Sequence, residues 1–153
     1  MTQEDKKLLL KDLCARLLYG VNVLADIDKT FDGGCIGIIN KIEPYVGDKF
    51  PELKGQYLLY QKGCLTPLVV DEVRPYLRPM SSMTEEEMNE LCSPAIDMEM
   101  DFLSSPNTER PTPLGIKSSA YQIDYCLAHH LDFRGLILMG LALEALEGMY
   151  KTE

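Results

Sequence analysis

Stretches rich in proline and glycine divide this chain of 153 residues into short segments, and this division limits its fold more than any other feature. Proline lacks the backbone N–H, clashes with the preceding turn of a helix and disfavours helical geometry in the residue before it. Such stretches span residues 43–55, 73–80 and 104–115. Residues 43–55 and 104–115 are predicted loops, and residues 73–80 cannot be an ordinary helix interior. The ordinary apolar and charged fractions exclude a coiled-coil architecture.

The first helix is predicted over residues 3–18, where leucines recur at helical spacing. Thr2 can cap this helix, with Asp5 at the third helical position, and Gly20 suits a left-handed exit. Polar residues, Asp12 among them, occupy the other faces. The segment therefore predicts an amphipathic N-terminal helix with its own start and stop signals.

Further helices are predicted where capping residues precede apolar positions. Residues 85–92 follow Thr84, which can form a capping box with the glutamate three residues later. Ser119 and Gln122 form another such box and open a helix that reaches about residue 130. Asp132 can cap a short helix ending near residue 140, which would complete a C-terminal helical pair.

Strand patterns fall between these helices, at residues 21–27, 35–42, 56–60, 65–70, 96–102 and 141–146. The first two segments predict a hairpin, and the next two a second hairpin. The pattern at 96–102 alternates with period two and favours a strand, although a helix also fits. The whole chain, residues 1–153, is thus predicted to be one α+β domain. Its small, mainly antiparallel sheet would be covered by the N-terminal helix and the C-terminal helical pair.

The chain carries 24 acidic and 15 basic residues, which gives a net charge of −9 at neutral pH. A nucleic-acid backbone repels such a chain unless a local basic stripe overrides the overall field. Arg74 and Arg78 alone do not form a stripe. We therefore expect no direct binding to nucleic acid.

Residues 85–101 hold seven of the acids and no lysine or arginine. A charge run of this kind is ordinarily a solvated face, here above methionines that pack inward. The functional alternative is a docking face for a basic partner, or a mimic of nucleic-acid charge. In that alternative Glu86, Glu90 and Glu99 are the predicted contacts, and their reversal to lysine should slow association.

The five cysteines are widely spaced and form no Cys-x-x-Cys pair, so neither a zinc knuckle nor a dithiol redox motif is indicated. The N-terminus is charged, and no apolar run approaches the roughly 18 residues that a membrane span requires. These features lead us to expect five free thiols in a cytoplasmic protein that does not associate with membranes.

The pattern closest to a metal site consists of Cys126, His129, His130 and Asp132. Cys126 and His129 are three residues apart and could present two zinc ligands from one helical face. The alternative is a helix end at which the histidines meet terminal carbonyls and Asp132 caps the next helix. Because this alternative also explains the Asp-Phe-Arg-Gly sequence, we predict no metal and no cofactor.

Two binding hypotheses rest on other residues. Arg74, Tyr76, Arg78 and Arg134 would supply the anion-binding and stacking groups of a small-ligand site. Residues 136–139 are four consecutive apolar residues, and a short helix on a sheet buries only one stripe. Leu138 and Met139 are therefore the predicted contacts of a homodimer, unless all four residues are internal.

Four segments form a joint pattern, namely residues 4–17, 73–87, 129–137 and 140–150. Together they resemble an uncharacterised family of small proteins from gut bacteria and their prophages. The resemblance implies a phage or mobile-element context and brings no known activity or catalytic residue. Leu18 and Leu146 stand where the family pattern has proline.

These observations favour a non-catalytic accessory protein that binds a protein partner or a second copy of itself. A module that binds a metabolite or nucleotide is the first alternative. A metal-dependent hydrolase that uses the His129/His130 region is the second, and whether the chain is an enzyme stays open because the sequence carries no recognised catalytic motif.

Overall fold

A computed structural model describes residues 1–26, 34–92 and 120–151, which adopt an α+β fold. Within these ranges the helices are α1 (Gln3–Arg16), α2 (Glu85–Leu91) and α3 (Ala120–Ala128). The strands are β1 (Asn22–Ala25), β2 (Cys35–Pro44), β3 (Tyr57–Gln61), β4 (Val73–Leu77) and β5 (Leu143–Glu144). The strand predicted at 96–102 and the cap predicted at Ser119 lie outside the described residues.

The strands form one sheet in the order β3-β2-β1-β4-β5. Every pair is antiparallel except β4 and β5, which run parallel. The pairing of β1 with β2, in which Asn22 lies opposite Ile38, confirms the first predicted hairpin. The second is confirmed only in part, because residues 65–70 contribute a single antiparallel bridge between Leu59 and Leu68.

Helix α1 covers one face of the sheet through its fully buried Leu9 and Leu13. Its capping box is formed as predicted, with the Asp5 backbone N–H donating to Thr2 Oγ1 at 3.1 Å. Gly20 ends the following turn in the left-handed region, with φ of 68°. The burial of each leucine contributes about 1.5 to 3 kcal/mol, so these two residues anchor the helix.

Strand β4 contains Pro75 although it lies inside the sheet. The carbonyl of Leu77 accepts a hydrogen bond from Ala145 N–H at 2.8 Å, which places the Leu77 backbone groups on the β5 side. Backbone groups alternate along a strand, so the ring nitrogen of Pro75 faces the same side. Pairing with β5 begins one residue later, at Tyr76. The missing N–H of proline therefore costs no hydrogen bond of the ladder.

Helices α2 and α3 enclose a second apolar cluster together with the chain that precedes α2 and the chain that follows α3. Its buried members are Met80, Met83, Leu91, Tyr125, Cys126, Leu127, Leu131 and Phe133. The capping box that starts α2 is formed as predicted, with Thr84 Oγ1 accepting from Glu87 N–H at 3.1 Å. No helix of the described ranges is both long enough and apolar enough to cross a membrane.

The predicted C-terminal helical pair is reduced to α3, because residues 132–140 form turns instead of a second helix. Gly135 has φ of 74°, which a right-handed helix does not accept. The Asp132 carboxylate accepts from the N–H groups of Leu136 and Ile137 at 2.8 and 2.9 Å. Asp132 is therefore a cap, as predicted, but it caps a turn.

Candidate functional site

A buried Asp12–Arg16 pair, together with the partly exposed Arg134, joins α1 to the chain that follows α3. Asp12 accepts from Arg16 Nε at 2.7 Å and from Arg134 Nε at 3.0 Å. Arg16 also donates to the carbonyl of Leu131 at 2.8 Å. Asp12 and Arg16 have no exposed surface, so the assignment of Asp12 to a polar face of the helix is wrong. The cluster fixes the position of the corner at residues 129–131.

Helix α3 ends at this corner in a Schellman motif. Leu131 N–H donates to the Cys126 carbonyl at 2.8 Å, and His130 N–H donates to the Leu127 carbonyl at 3.2 Å. His130 occupies the left-handed position with φ of 56°, where glycine is the usual residue. A histidine at this position stores backbone strain of about 1 kcal/mol or more, which is a common property of functional sites.

The His130 side chain is only 7% exposed, and its Nδ1 has no hydrogen-bond partner in the described part of the chain. Its ring stacks on Tyr150, with the ring centroids 3.9 Å apart. Burial, and then the positive charges of Arg16, His129 and Arg78, lower the pKa of His130 to about 4. The imidazole is therefore neutral at pH 7.

Tyr150 ties the C-terminal segment to the sheet beside this histidine. Its hydroxyl donates to the carbonyl of Tyr76 at 2.9 Å and accepts from the backbone N–H of Asn22 at 3.0 Å. One side chain thus contacts β1, β4 and the His130 ring. Tyr150 and His130 form a fixed aromatic wall.

Arg78 and Glu87 form a bidentate ion pair next to that wall, with N–O distances of 2.7 and 2.8 Å. Both side chains are at least nine-tenths buried. The hydrogen bond from Arg78, more than any other contact, lowers the pKa of Glu87. Glu87 also accepts from the Thr84 backbone N–H at 2.9 Å, so one carboxylate both caps α2 and neutralises an arginine.

His129 stands between α2 and α3. Its ring stacks on Tyr125 at 4.1 Å between centroids, and its Nδ1 lies 3.5 Å from Glu87 Oε1. The Tyr125 hydroxyl donates to Glu90 Oε2 at 2.9 Å. Through these contacts His129 and Tyr125 both lie against the acidic helix α2.

A cleft of about 690 Å³ lies between α2 and the C-terminal segment, and it is bordered by Arg78, Glu87, His129, His130 and Tyr150. We call it the α2 cleft; its lining includes Tyr19, Glu86, Glu90, His130, Tyr150 and Lys151. Because Arg78 neutralises Glu87, the charge left to the cleft comes from two glutamates and one lysine and is negative. Negative charge beside aromatic faces is the environment that binds a guanidinium or ammonium group.

The residues of the predicted metal pattern are not arranged as ligands. Cys126 is buried, and burial raises the pKa of its thiol to about 11, so that it stays protonated. The Asp132 carboxylate is occupied by two backbone N–H groups. Within the described ranges, no group of three or more His, Cys, Asp or Glu side chains could hold a metal ion.

The four residues predicted to bind a small ligand do not converge on one site. Arg78 lines the α2 cleft but is paired with Glu87, and Arg134 is paired with Asp12. The Tyr76 side chain is buried, while Arg74 is exposed, and neither lines the cleft.

The predicted partner contacts fall into two separate groups. Glu86 and Glu90 are exposed and line the α2 cleft, whereas Glu99 lies outside the described residues. Leu138 and Met139 are 87% and 49% exposed, while Leu136 is fully buried. At least one residue of 136–139 faces outward, as predicted.

Sequence reasoning missed the parts of the cleft that long-range contacts create. The stacking of His130 on Tyr150 joins residues from the end of α3 and the C-terminal segment, and no spacing signal marks it. The sequence indicates that Glu87 caps α2. It does not indicate the ion pair of Glu87 with Arg78, because a glutamate in a first helical turn is ordinarily solvated.

Comparisons of this chain with models of known protein families, with curated proteins and with solved structures find no significant match.

Proposed function

We propose that this protein is a non-catalytic interaction protein that binds a basic segment of a protein partner in the α2 cleft. One observation carries the proposal, namely the net negative charge of the cleft lining, in which two glutamates outweigh one lysine. Glu87 is neutralised by Arg78, but Glu86 and Glu90 have no cationic partner among the described residues. Helix α2 therefore presents Glu86 and Glu90 to a partner, whereas Arg78 holds Glu87 in the protein interior.

The shape and composition of the cleft favour a basic side chain with a planar head group. A volume of about 690 Å³ lies within the range of roughly 300 to 1,000 Å³ typical of binding pockets. Tyr19 and Tyr150 supply aromatic rings to the lining, on which an arginine guanidinium stacks more favourably than a lysine ammonium. The preferred occupant is therefore an arginine of the partner.

Three of the four segments that carry the family resemblance also meet here. Arg78 and Glu86 belong to the segment 73–87, His130 to the segment 129–137, and Tyr150 to the segment 140–150. The proposal places a phage or mobile-element accessory role at this cleft.

The test compares the binding of a labelled peptide of alternating arginine and glycine to the wild type and to Glu86→Lys/Glu90→Lys. Two reversals at the rim should weaken binding by about one to two orders of magnitude and reduce its salt dependence, because both remove attraction and add repulsion. Fluorescence anisotropy measures both effects.

The matched control is Glu4→Lys/Glu52→Lys, which changes the net charge equally at two exposed acids outside the cleft. This control should bind the peptide within about threefold of the wild type, since distant surface charges are largely screened. Equal weakening in both variants would mean that the peptide senses only the net charge, and the proposal would fail.

Self-association is a second candidate, favoured by the exposure of Leu138 and Met139 on one turn. The Leu138→Glu/Met139→Lys variant should sediment as a monomer where the wild type sediments as a dimer, because a covered apolar contact becomes charged. Its melting temperature at matched low concentration should change little. The control Val46→Glu alters an equally exposed residue elsewhere and should leave the dimer intact. A monomeric wild type eliminates this candidate.

A further inference from the structure

Two cysteines far apart in sequence lie together at one end of the β2–β3 pair. Cys35 begins β2, and Cys64 follows the end of β3 by three residues. Lys62 N–H donates to the Ile38 carbonyl at 2.8 Å and extends the ladder beyond β3. Cys64 N–H then donates to the Gln61 carbonyl at 3.0 Å, which turns the chain toward the start of β2.

Gln61 connects the two residues. The Gln61 side-chain amide donates to the Cys35 carbonyl at 3.3 Å. Since Cys64 N–H donates to the Gln61 carbonyl, the buried Gln61 binds the backbone of both cysteines. Gln61 lies opposite Ile39 in the β2–β3 pair, so Cys64 comes alongside the start of β2, and the two thiols are close enough for the charge of one to act on the other. Both thiols are free, Cys35 is exposed and Cys64 is half-buried. The remaining cysteines lie on other elements, two of them on α1 and α3.

We propose that Cys35 and Cys64 are a site of reversible disulfide formation with a low-molecular-weight disulfide such as glutathione disulfide. In the first step the exposed Cys35, as thiolate, attacks one sulfur of the oxidant and releases one glutathione thiolate. In the second step the Cys64 thiolate attacks Cys35 Sγ of the mixed disulfide and releases the second glutathione. Two protein thiols are oxidised, one disulfide is reduced to two thiols, and the two protons pass to solvent or to the leaving thiolates.

The environment of the pair determines the order of these steps. Burial, followed by the charge and the hydrogen bond of Cys35, raises the pKa of the Cys64 thiol. Cys64 is therefore the slower nucleophile toward an external oxidant and acts best as the resolving thiol, once Cys35 no longer carries a charge. A mildly alkaline buffer near about pH 8 should speed both steps.

The test exposes the native full-length chain to a mixture of oxidised and reduced glutathione and then blocks the remaining thiols with N-ethylmaleimide. Intact mass spectrometry should show a loss of two hydrogens and three alkylated cysteines instead of five. Proteolysis at sites that separate the cysteines should give one linked pair of peptides, containing Cys35 and Cys64, and dithiothreitol should remove the link.

Variants check the assignment of each thiol. Cys35→Ser should abolish the link, whereas Cys14→Ser, at an exposed thiol of α1, should leave it unchanged. Far-UV circular dichroism checks that both variants are folded. Stable glutathione adducts on Cys35 and Cys64 without a link between them, or a link that involves another cysteine, would overturn the proposal.

Discussion

The variant Asp12→Ala should lose about 3 to 5 kcal/mol of unfolding free energy, because it leaves a positive charge buried without its counter-ion. The Arg16 guanidinium has no exposed surface and takes its one carboxylate contact in the described structure from Asp12. Arg134 loses its acceptor in the same variant. Urea denaturation at neutral pH measures the difference.

The control for this prediction is Asp71→Ala, which removes the partner of Lys6 at the surface. Both members of that pair are partly exposed, so its loss should cost about 1 kcal/mol or less. Similar losses in the two variants would contradict the account of the buried cluster. The combined variant Asp12→Leu/Arg16→Met should recover part of the stability, since the buried charge is gone, although the carbonyls of Cys126 and Leu131 lose the guanidinium as a donor.

Acidification should destabilise the protein through His130 before the pair of Glu87 with Arg78 is affected. The folded-state pKa of about 4 lies below the ordinary value of 6.5, so the unfolded chain binds a proton that the folded chain does not. Stability is thus complete above pH 6.5 and falls as the pH decreases toward 4. Over the part of this window above pH 4.5, the expected loss is about 2 to 3 kcal/mol. The lowered pKa of Glu87 acts only below pH 4.5, where its protonation breaks the pair with Arg78.

Unfolding free energies measured between pH 7 and 4.5 test this prediction in the wild type and in His130→Asn. Asparagine accepts the left-handed conformation and does not titrate, so this variant should be less stable at pH 7 but should lose little more on acidification. His129→Asn removes the neighbouring histidine and should keep the pH dependence. An equally steep pH dependence in His130→Asn would show that another group is responsible.

The elements that could be predicted from sequence are those whose position depends on residues close to one another in the chain. The capping boxes at Thr2 and Thr84 start α1 and α2 where they were expected, because each box satisfies backbone N–H groups within four residues. The β1–β2 hairpin follows from the β-branched residues of its second strand. The sequence predicts a helix after Asp132 because Asp132 is a genuine capping residue. The left-handed φ of Gly135, which prevents that helix, cannot be recognised from the sequence.

The candidate site could be predicted only where its residues lie close in sequence. Glu86 and Glu90 were identified from the charge run, and the structure places both in the α2 cleft. The burial of Asp12 could not be predicted, since an Asp–Arg pair at i and i+4 on a helix is ordinarily a surface pair. Here Arg16 donates to Leu131, which is 115 residues away, and this contact places the pair inside.

Mapping the binding position of the arginine–glycine peptide is the most direct test of the proposed function. The peptide carries a benzophenone group, is irradiated with the native full-length chain, and the cross-linked residues are identified by mass spectrometry. We expect cross-links concentrated on the residues that line the α2 cleft, chiefly Tyr19, Met149 and Tyr150, and we expect them to be lost in Glu86→Lys/Glu90→Lys. Cross-links spread over acidic surfaces such as those around Glu4 and Glu52, and unchanged in the variant, would contradict the proposed function.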